Sequence, residues 1–358
     1  MFKQTELFTK GTNGYHTYRI PALIVSKKGT LLAFCEGRKN SSSDSGDIDI
    51  VLRRSFDNGL TWQPMQVIVD DGIDTAGNPA PVLDYDTGNI ILLITKNLAN
   101  GPEDLIVAGK APRTVWVTFS SDDGQTWAEP TEITADVKKA SWTWYATGPC
   151  HGIQLKNGRL VIPCDHVQGN ERNYALSSHS HLIYSDDHGK TWNIGGIAQP
   201  GTNESTVVQT TDGSLYLNCR NYAGEKRRAY AWSYDNGETF TEFGWDDKLI
   251  EPICQASMVR LTTTESYDKN RVIFANPASI NREKMTIRIS YDECRSWSDG
   301  KVLYQGPSAY SDLCITPDMK ICCLYECGKN NPYETITFAQ FDLEWLTDGK
   351  DRIKQLCK

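Results

Sequence analysis

The chain has 358 residues, of which 39% are hydrophobic, 23% charged and 10% aromatic, and it carries a formal net charge of −8. Such a composition belongs to a folded globular protein with a substantial core, and one large all-β unit or two ordinary domains would absorb the length. The acidic balance argues against nucleic acid as a partner, because that partner requires a basic face that releases counterions.

The N-terminal segment, Met1 to Lys10, is polar and lacks the apolar core of a secretory signal, so the chain as written is expected to be cytoplasmic, with secretion after removal of a signal as the alternative. No run approaches the ~18 consecutive apolar residues of a membrane span. Eleven cysteines, an odd count without regular spacing, point to reduced thiols rather than a disulfide framework. Cys322, Cys323 and Cys327 lack a second ligand cluster, and the six histidines form no HExxH pattern. Neither a metal nor a cofactor is expected.

Along the chain, strand-like runs alternate with an internal repeat. The runs include Thr30–Phe34, Ile90–Ile94, Ser214–Asn218 and Thr335–Ala339, each bounded by Gly, Asn or Asp turns. The repeat, Ser-x-Asp-x-Gly-x-Thr-Trp, begins at Ser55, Ser120 and Ser185, with degenerate copies at Ser233 (ending in Phe240) and Ser290 (Cys294 in place of the glycine). In this unit the aspartate can accept backbone N–H groups across a tight turn, the glycine supplies positive φ, and the aromatic is expected to pack beneath the hairpin. Calcium binding of the EF-hand kind is disfavoured, since the alternating oxygen ligands and closing glutamate are missing.

Copies start 65, 65, 48 and 57 residues apart, as read from their first serines. That period suits a four-stranded propeller blade, and at ~60 residues per blade the chain has room for about six. The expected fold is a six-bladed β-propeller of four-stranded antiparallel sheets, a single domain over 1–358, with the sixth blade closed by both termini. Lys226-Arg227-Arg228, the strongest basic run, reads as a solvated loop.

The repeat does not assign a function, since the same box occurs in propellers that only bind. The order Tyr18-Arg19-Ile20-Pro21, Phe34-Cys-Glu36-Gly-Arg38 and Asp44-Ser-Gly-Asp47-Ile-Asp49, followed by the five boxes, resembles the bacterial and animal sialidases, from Tyr18 to about Glu326. The resemblance implies an exo-sialidase acting on terminal sialic acid of glycoproteins, glycolipids and oligosaccharides.

It implies further that Arg19, Arg220 and Arg282 hold the substrate carboxylate, a task for fixed, always-ionised donors in fork geometry, with Glu326 bracing Arg19. Tyr310 matches the nucleophile. The family uses a tyrosine in place of a carboxylate, which avoids repulsion by the carboxylate on the anomeric carbon. Glu204 matches the base that a phenol of pKa ~10 requires, and Asp44 the acid/base, with Asp47 and Asp49 as competitors. Arg38 and Glu36 resemble residues that contact the ring hydroxyl at position 4, and Asn78 and Trp144 are candidates for the N-acyl pocket. Where relatives commonly read Gly-Pro-Gly-His, this chain has Gly148-Pro149-Cys150-His151, a loss of positive-φ freedom. Two alternatives stand beside hydrolysis: transfer of sialic acid to an acceptor sugar, and a non-catalytic sialoglycan-binding propeller.

Overall fold

The computed structural model describes residues 1–170 and 172–356. β1 (Phe2–Thr9) opens the chain. The first antiparallel sheet holds β2 (Thr17–Val25), β3 (Leu31–Arg38), β4 (Ile48–Ser55) and β5 (Gln66–Val69). The second holds β6 (Thr75–Leu83), β7 (Ile90–Asn97), β8 (Arg113–Ser120) and β9 (Thr131–Glu132), and one parallel pairing, Ile48↔Thr75, ties it to the first. In the third, β10 (Trp142–Thr147) and β11 (Ile153–Gln154) both pair with β12 (Leu160–Gln168), which continues to β13 (Ser178–Ser185) and β14 (Asn193–Ile197). The fourth holds β15 (Thr202–Gln209), β16 (Leu215–Asn221), β17 (Arg227–Ser233) and β18 (Glu242–Ile250).

The fifth sheet comprises β19 (Ser257–Thr262), β20 (Arg271–Pro277), β21 (Glu283–Ser290) and the first half of β22 (Lys301–Ile315). The second half of β22 enters the sixth, with β23 (Ile321–Cys327), β24 (Thr335–Phe341) and β1, whose register on β24 runs from Phe2↔Phe341 to Thr9↔Thr335. Helices among the described residues are single turns: α1 (Glu103–Val107), α2 (Thr134–Val137), α3 (Tyr174–Ser177) and α4 (Leu343–Leu346). None is long and apolar enough to cross a membrane.

The core lies between sheets. Ala22, Ile24 and Phe34 of the first sheet pack with Ala76, Leu83 and Ile90 of the second. Corresponding clusters join the second to the third, the third to the fourth, the fourth to the fifth and the fifth to the sixth. Another returns from the sixth to the first, where Leu324, Ile336 and Phe338 meet Leu23, Leu31 and Val51. Strands buried on both faces read as apolar runs rather than alternations, as Ala22-Leu-Ile24 does.

Each box is a closed hydrogen-bond unit. In the first, Ser55 Oγ donates to Asp57 Oδ1 (2.8 Å) and accepts from Gly59 N (2.8 Å), while Asp57 takes Thr61 N (2.8 Å) and Thr61 Oγ1 (2.6 Å). The same pattern recurs at Asp122, Asp187, Asp235 and Asp292. In the last box Cys294 takes the glycine's conformation, with φ +67°.

The box aromatics do not sit only beneath their own hairpins. Trp62 meets Phe338 of the sixth sheet edge-on at 5.0 Å, and Trp127 meets Phe34 of the first at 5.8 Å. The boxes therefore also pack each sheet onto the one before it. The glycine shares in this: at Gly124 (φ +77°) a Cβ would lie 2.5 Å from Leu32 Cδ2 of the first sheet. The basic run likewise differs from a solvated loop. Arg228 is fully buried in β17 and donates to Asn218 Oδ1 (2.6 Å), Cys254 O (2.6 Å) and Glu251 Oε2 (3.3 Å).

Candidate active site

The first strands of five of the six sheets share an irregularity at one end. Register shifts fall between Arg19 and Ala22 in β2, Gly77 and Ala80 in β6, Trp142 and Tyr145 in β10, Thr202 and Ser205 in β15, and Ser308 and Ser311 in β22. A bulge breaks the alternation of side chains and re-aims one of them. Ile20, Asn78, Trp144, Glu204 and Tyr310 lie within these shifts, and all five line one cavity of about 350 Å³. At Ile20 (φ +60°) and Asn78 (φ +54°) the backbone is left-handed, each just before a proline. For a β-branched residue such as Ile20 that conformation is strained, and a bond from its N–H to Glu326 Oε1 (2.9 Å) holds it.

The cavity gathers residues from all six sheets. Arg19, Glu36, Arg38 and Asp44 come from the first, Asn78 from the second, Trp144 from the third, Glu204 and Arg220 from the fourth, Arg282 from the fifth and Tyr310 from the sixth. Glu326 lies behind the lining, fully buried. Its Oε1 accepts from Arg19 Nε at 2.7 Å, and its Oε2 from Tyr310 N at 3.1 Å.

Tyr310 Oη donates to Glu204 Oε1 at 2.5 Å, and Arg220 Nη1 donates both to Glu204 Oε2 (2.6 Å) and to Tyr310 Oη (2.9 Å). Burial and then Glu204 push the Tyr310 phenol well above its ordinary pKa, against the opposing pull of Arg220 and Arg282. The phenol is neutral at rest, with its proton already directed at a carboxylate. The guanidinium carbons of Arg19 and Arg282 lie 5.2 and 5.5 Å from the centre of the Tyr310 ring. Arg282 is anchored by Tyr333 Oη (2.7 Å) and Ile253 O (3.1 Å).

Opposite this group, Arg38 Nε and Nη2 donate to Glu36 Oε2 (2.9 and 2.6 Å), and Nη1 pairs with Asp44 Oδ1 at 2.7 Å. Asp44 stands at the mouth on the Ser-rich loop, its side chain 71% exposed. Desolvation among the cavity walls disfavours its charge, but Arg38 and then Arg19 outweigh that and hold the carboxyl below its ordinary range. Asp47 and Asp49 do not line the cavity. Lys39 takes both, at 2.8 and 3.1 Å, and Tyr15 Oη donates to Asp49 at 2.5 Å.

Farther along the cavity wall, Arg113 Nη2 donates to Asn78 Oδ1 (2.5 Å), and its guanidinium stacks 4.1 Å above the Trp144 ring. Cys150 adopts φ +144°, a conformation that suits glycine, with its Sγ 3.5 Å from Ser205 O. One group of potential cation ligands exists among the described residues, Asp84, Asp86 and His188, outside the cavity. Its buried Asp84 is already taken by His188, Thr87 and Gln154.

The family model described as a BNR repeat-like domain matches residues 29–323. An exo-alpha-sialidase of Aspergillus fumigatus is 34% identical over 94% of this chain and 86% of its own length. The chain belongs to the exo-α-sialidase family. It is a glycoside hydrolase of that family. Mouse Sialidase-3 is 31% identical over 94% of this chain and 93% of its own. A Hadza microbial sialidase superposes with a TM-score of 0.86 at 30% identity, covering 96% of this chain and 69% of the other. The Trypanosoma rangeli sialidase in complex with sialic acid, with a TM-score of 0.76 at 20% identity over 96% of this chain and 59% of the other, shares the fold.

Several lining residues of this family member carry no local motif. Tyr222, whose Oη accepts from Arg220 Nη2 at 2.7 Å, follows Arg220 by two positions, the spacing that returns to the same face of a strand. Arg113, Asp165 and Tyr333 reach the cavity only through the strand arrangement.

Proposed function

We propose that this chain is an exo-sialidase that hydrolyses terminal α-linked sialic acid from glycans with retention, using Tyr310 as nucleophile. The observation that carries the reading is the short Tyr310–Glu204 hydrogen bond, set among arginines from three different sheets. Arg19, Arg220 and Arg282 receive the carboxylate. As Tyr310 Oη bonds to the anomeric carbon, its proton passes to Glu204, and protonated Asp44 delivers its own proton to the departing glycosidic oxygen as that bond breaks. Water then attacks the anomeric carbon with Asp44 as base, the bond to Tyr310 breaks, and Glu204 returns the phenol proton.

Supporting a single six-bladed propeller over the whole chain are the six antiparallel groupings, five of four strands and the third of five, and the apolar clusters that link consecutive groupings and return to the first. A binding-only propeller would have no use for a phenol aimed at a carboxylate.

The test is release of 4-methylumbelliferone from its α-sialoside by the wild type and by Tyr310→Phe, with a chelator present, and NMR of the sugar first released. Activity lost in the variant and an α-anomer as first product support the reading. Near-normal turnover by Tyr310→Phe, or a β-anomer first, overturns it. With lactose added, sialyllactose among the products would indicate transfer.

A further inference from the structure

A second cavity, of about 380 Å³, lies at the other end of the first strands. In β2, β15 and β22 the bulges at Arg19–Ala22, Thr202–Ser205 and Ser308–Ser311 serve the cavity described above. Farther along the same strands, Leu23 to Val25, Val207 to Gln209 and Leu313 to Ile315 line the second one. Its volume falls within the ~300–1,000 Å³ of small-molecule sites.

Its deepest lining is apolar except for one ring. Leu23, Val207, Met258 and Leu313 are all but fully buried, and His151, 8% exposed, lines the cavity with them. Asp312, itself fully buried, fixes that ring. Its Oδ1 accepts from His151 Nδ1 (2.7 Å) and Leu313 N (2.9 Å), and its Oδ2 from Leu23 N (2.8 Å) and His151 N (3.1 Å). A carboxylate only accepts, so Nδ1 carries a proton. Nε2, without a partner among the described residues, is the ring atom left for a ligand. Burial disfavours the charged ring, but Asp312 outweighs burial and raises the pKa above its ordinary value. Once the ring is charged, Nε2 is an N–H donor among apolar walls.

Such a site suits a molecule with one anionic head and a hydrocarbon body. No Asp or Glu is among the described residues that line the cavity, whereas Lys156 and Arg260 are. Those two are engaged already, by Glu265 and by Glu293 (2.6 Å). The amides of Gln154 and Gln209 bond back into the walls, to Tyr85 N (2.7 Å) and Gly213 O (3.2 Å). His151 is thus the cationic group still open to a head group. From Leu23 to Val25 the strand rises about 7 Å, the reach of a medium alkyl chain. We propose that this second cavity binds a medium-chain aliphatic carboxylate, with its head on His151 Nε2 and its chain along the apolar strand ends. The assignment does not depend on the sialidase reading.

The experiment is calorimetric titration of the full chain with octanoate, alone and with the 2,3-unsaturated sialic acid analogue in excess. Octanoate should bind with a Kd of about 0.1–1 mM, unchanged by the analogue, and octan-1-ol at least about tenfold more weakly, the worth of a hydrogen bond between charged groups. His151→Asn, which keeps a donor for Asp312 but removes Nε2, should lose about tenfold or more in octanoate affinity. Ile315→Trp, which fills the cavity from its wall without touching Asp312, should abolish binding. Thermal melts establish that each variant is folded, and where one is not, the other decides. No heat of binding by wild type, displacement of octanoate by the analogue, octan-1-ol binding as tightly as octanoate, or wild-type affinity in a folded variant overturns the assignment.

Discussion

Arg19 and Glu326, 307 residues apart in the chain, form a buried ion pair at 2.7 Å that joins the first sheet to the sixth. The same carboxylate holds the N–H of Ile20 and of Tyr310, so one side chain fixes an arginine, a strained turn and the proposed nucleophile. Glu326→Ala leaves a buried guanidinium and two N–H groups unpaired. It should lower unfolding free energy by about 3–5 kcal/mol, read from urea midpoints, and raise KM as Arg19 loses its orientation.

The Tyr310–Glu204 contact predicts a division between chemistry and binding. Tyr310→Phe and Glu204→Gln should each lower kcat by at least about 10²–10⁴-fold, the range for loss of a general acid or base. The Phe variant should still bind the 2,3-unsaturated sialic acid analogue, because the arginines are untouched. Calorimetric affinity within a few-fold of wild type is the expected result.

Asp44 has to be protonated to act as acid, and in the free protein Arg38 and Arg19 hold its carboxyl below the ordinary range. An entering carboxylate offsets Arg19 and raises that pKa, so the acid form is favoured by substrate itself. With sialyllactose, whose leaving oxygen needs a proton, kcat/KM should therefore climb as pH falls from neutrality toward the carboxylate range. Asp44→Asn should slow sialyllactose at least about 100-fold more than an aryl sialoside, whose leaving group departs with little protonation. Paired pH profiles check both.

His166 and His181 lie Nδ1 to Nδ1 at 3.0 Å in the third sheet, with Trp142 stacked on His166 at 3.6 Å. Burial drives both imidazoles down in pKa, that of His181 to about 3, so both stay neutral in the fold while the unfolded chain titrates near 6.5. Between the two pKa values the unfolded state binds more protons, and stability falls as pH drops below about 6.5. Each histidine should cost about 2 kcal/mol between pH 7 and pH 5. Urea unfolding of His166→Asn/His181→Gln at the two pH values should show a shallower decline than wild type.

The repeats and apolar runs made the strands legible: Thr30–Phe34, Ile90–Ile94, Ser214–Asn218 and Thr335–Ala339 all fall on or overlap strands. Box chemistry was legible too, because its hydrogen bonds close within seven residues, from Ser55 to Thr61. The direction of packing was not. Whether Trp62 turns toward its own hairpin or toward Phe338 depends on a sheet nearly 300 residues away, which no local pattern encodes. Among the acidic residues after Arg38, spacing alone left Asp44, Asp47 and Asp49 open. Lys39 and Tyr15 occupy the latter two, and Tyr15 belongs to an earlier loop. Asp165 carries no local motif, and only the strand arrangement brings it to the cavity.

β1 pairs with β24 in the sheet that carries Tyr310 and Glu326. During synthesis β1 leaves the ribosome more than 300 residues before its neighbour β24. The carboxylate that anchors Arg19 arrives equally late. Nascent or truncated chains would thus carry early boxes and arginines without the proposed nucleophile, and hydrolytic competence would report that β1 and β24 have met.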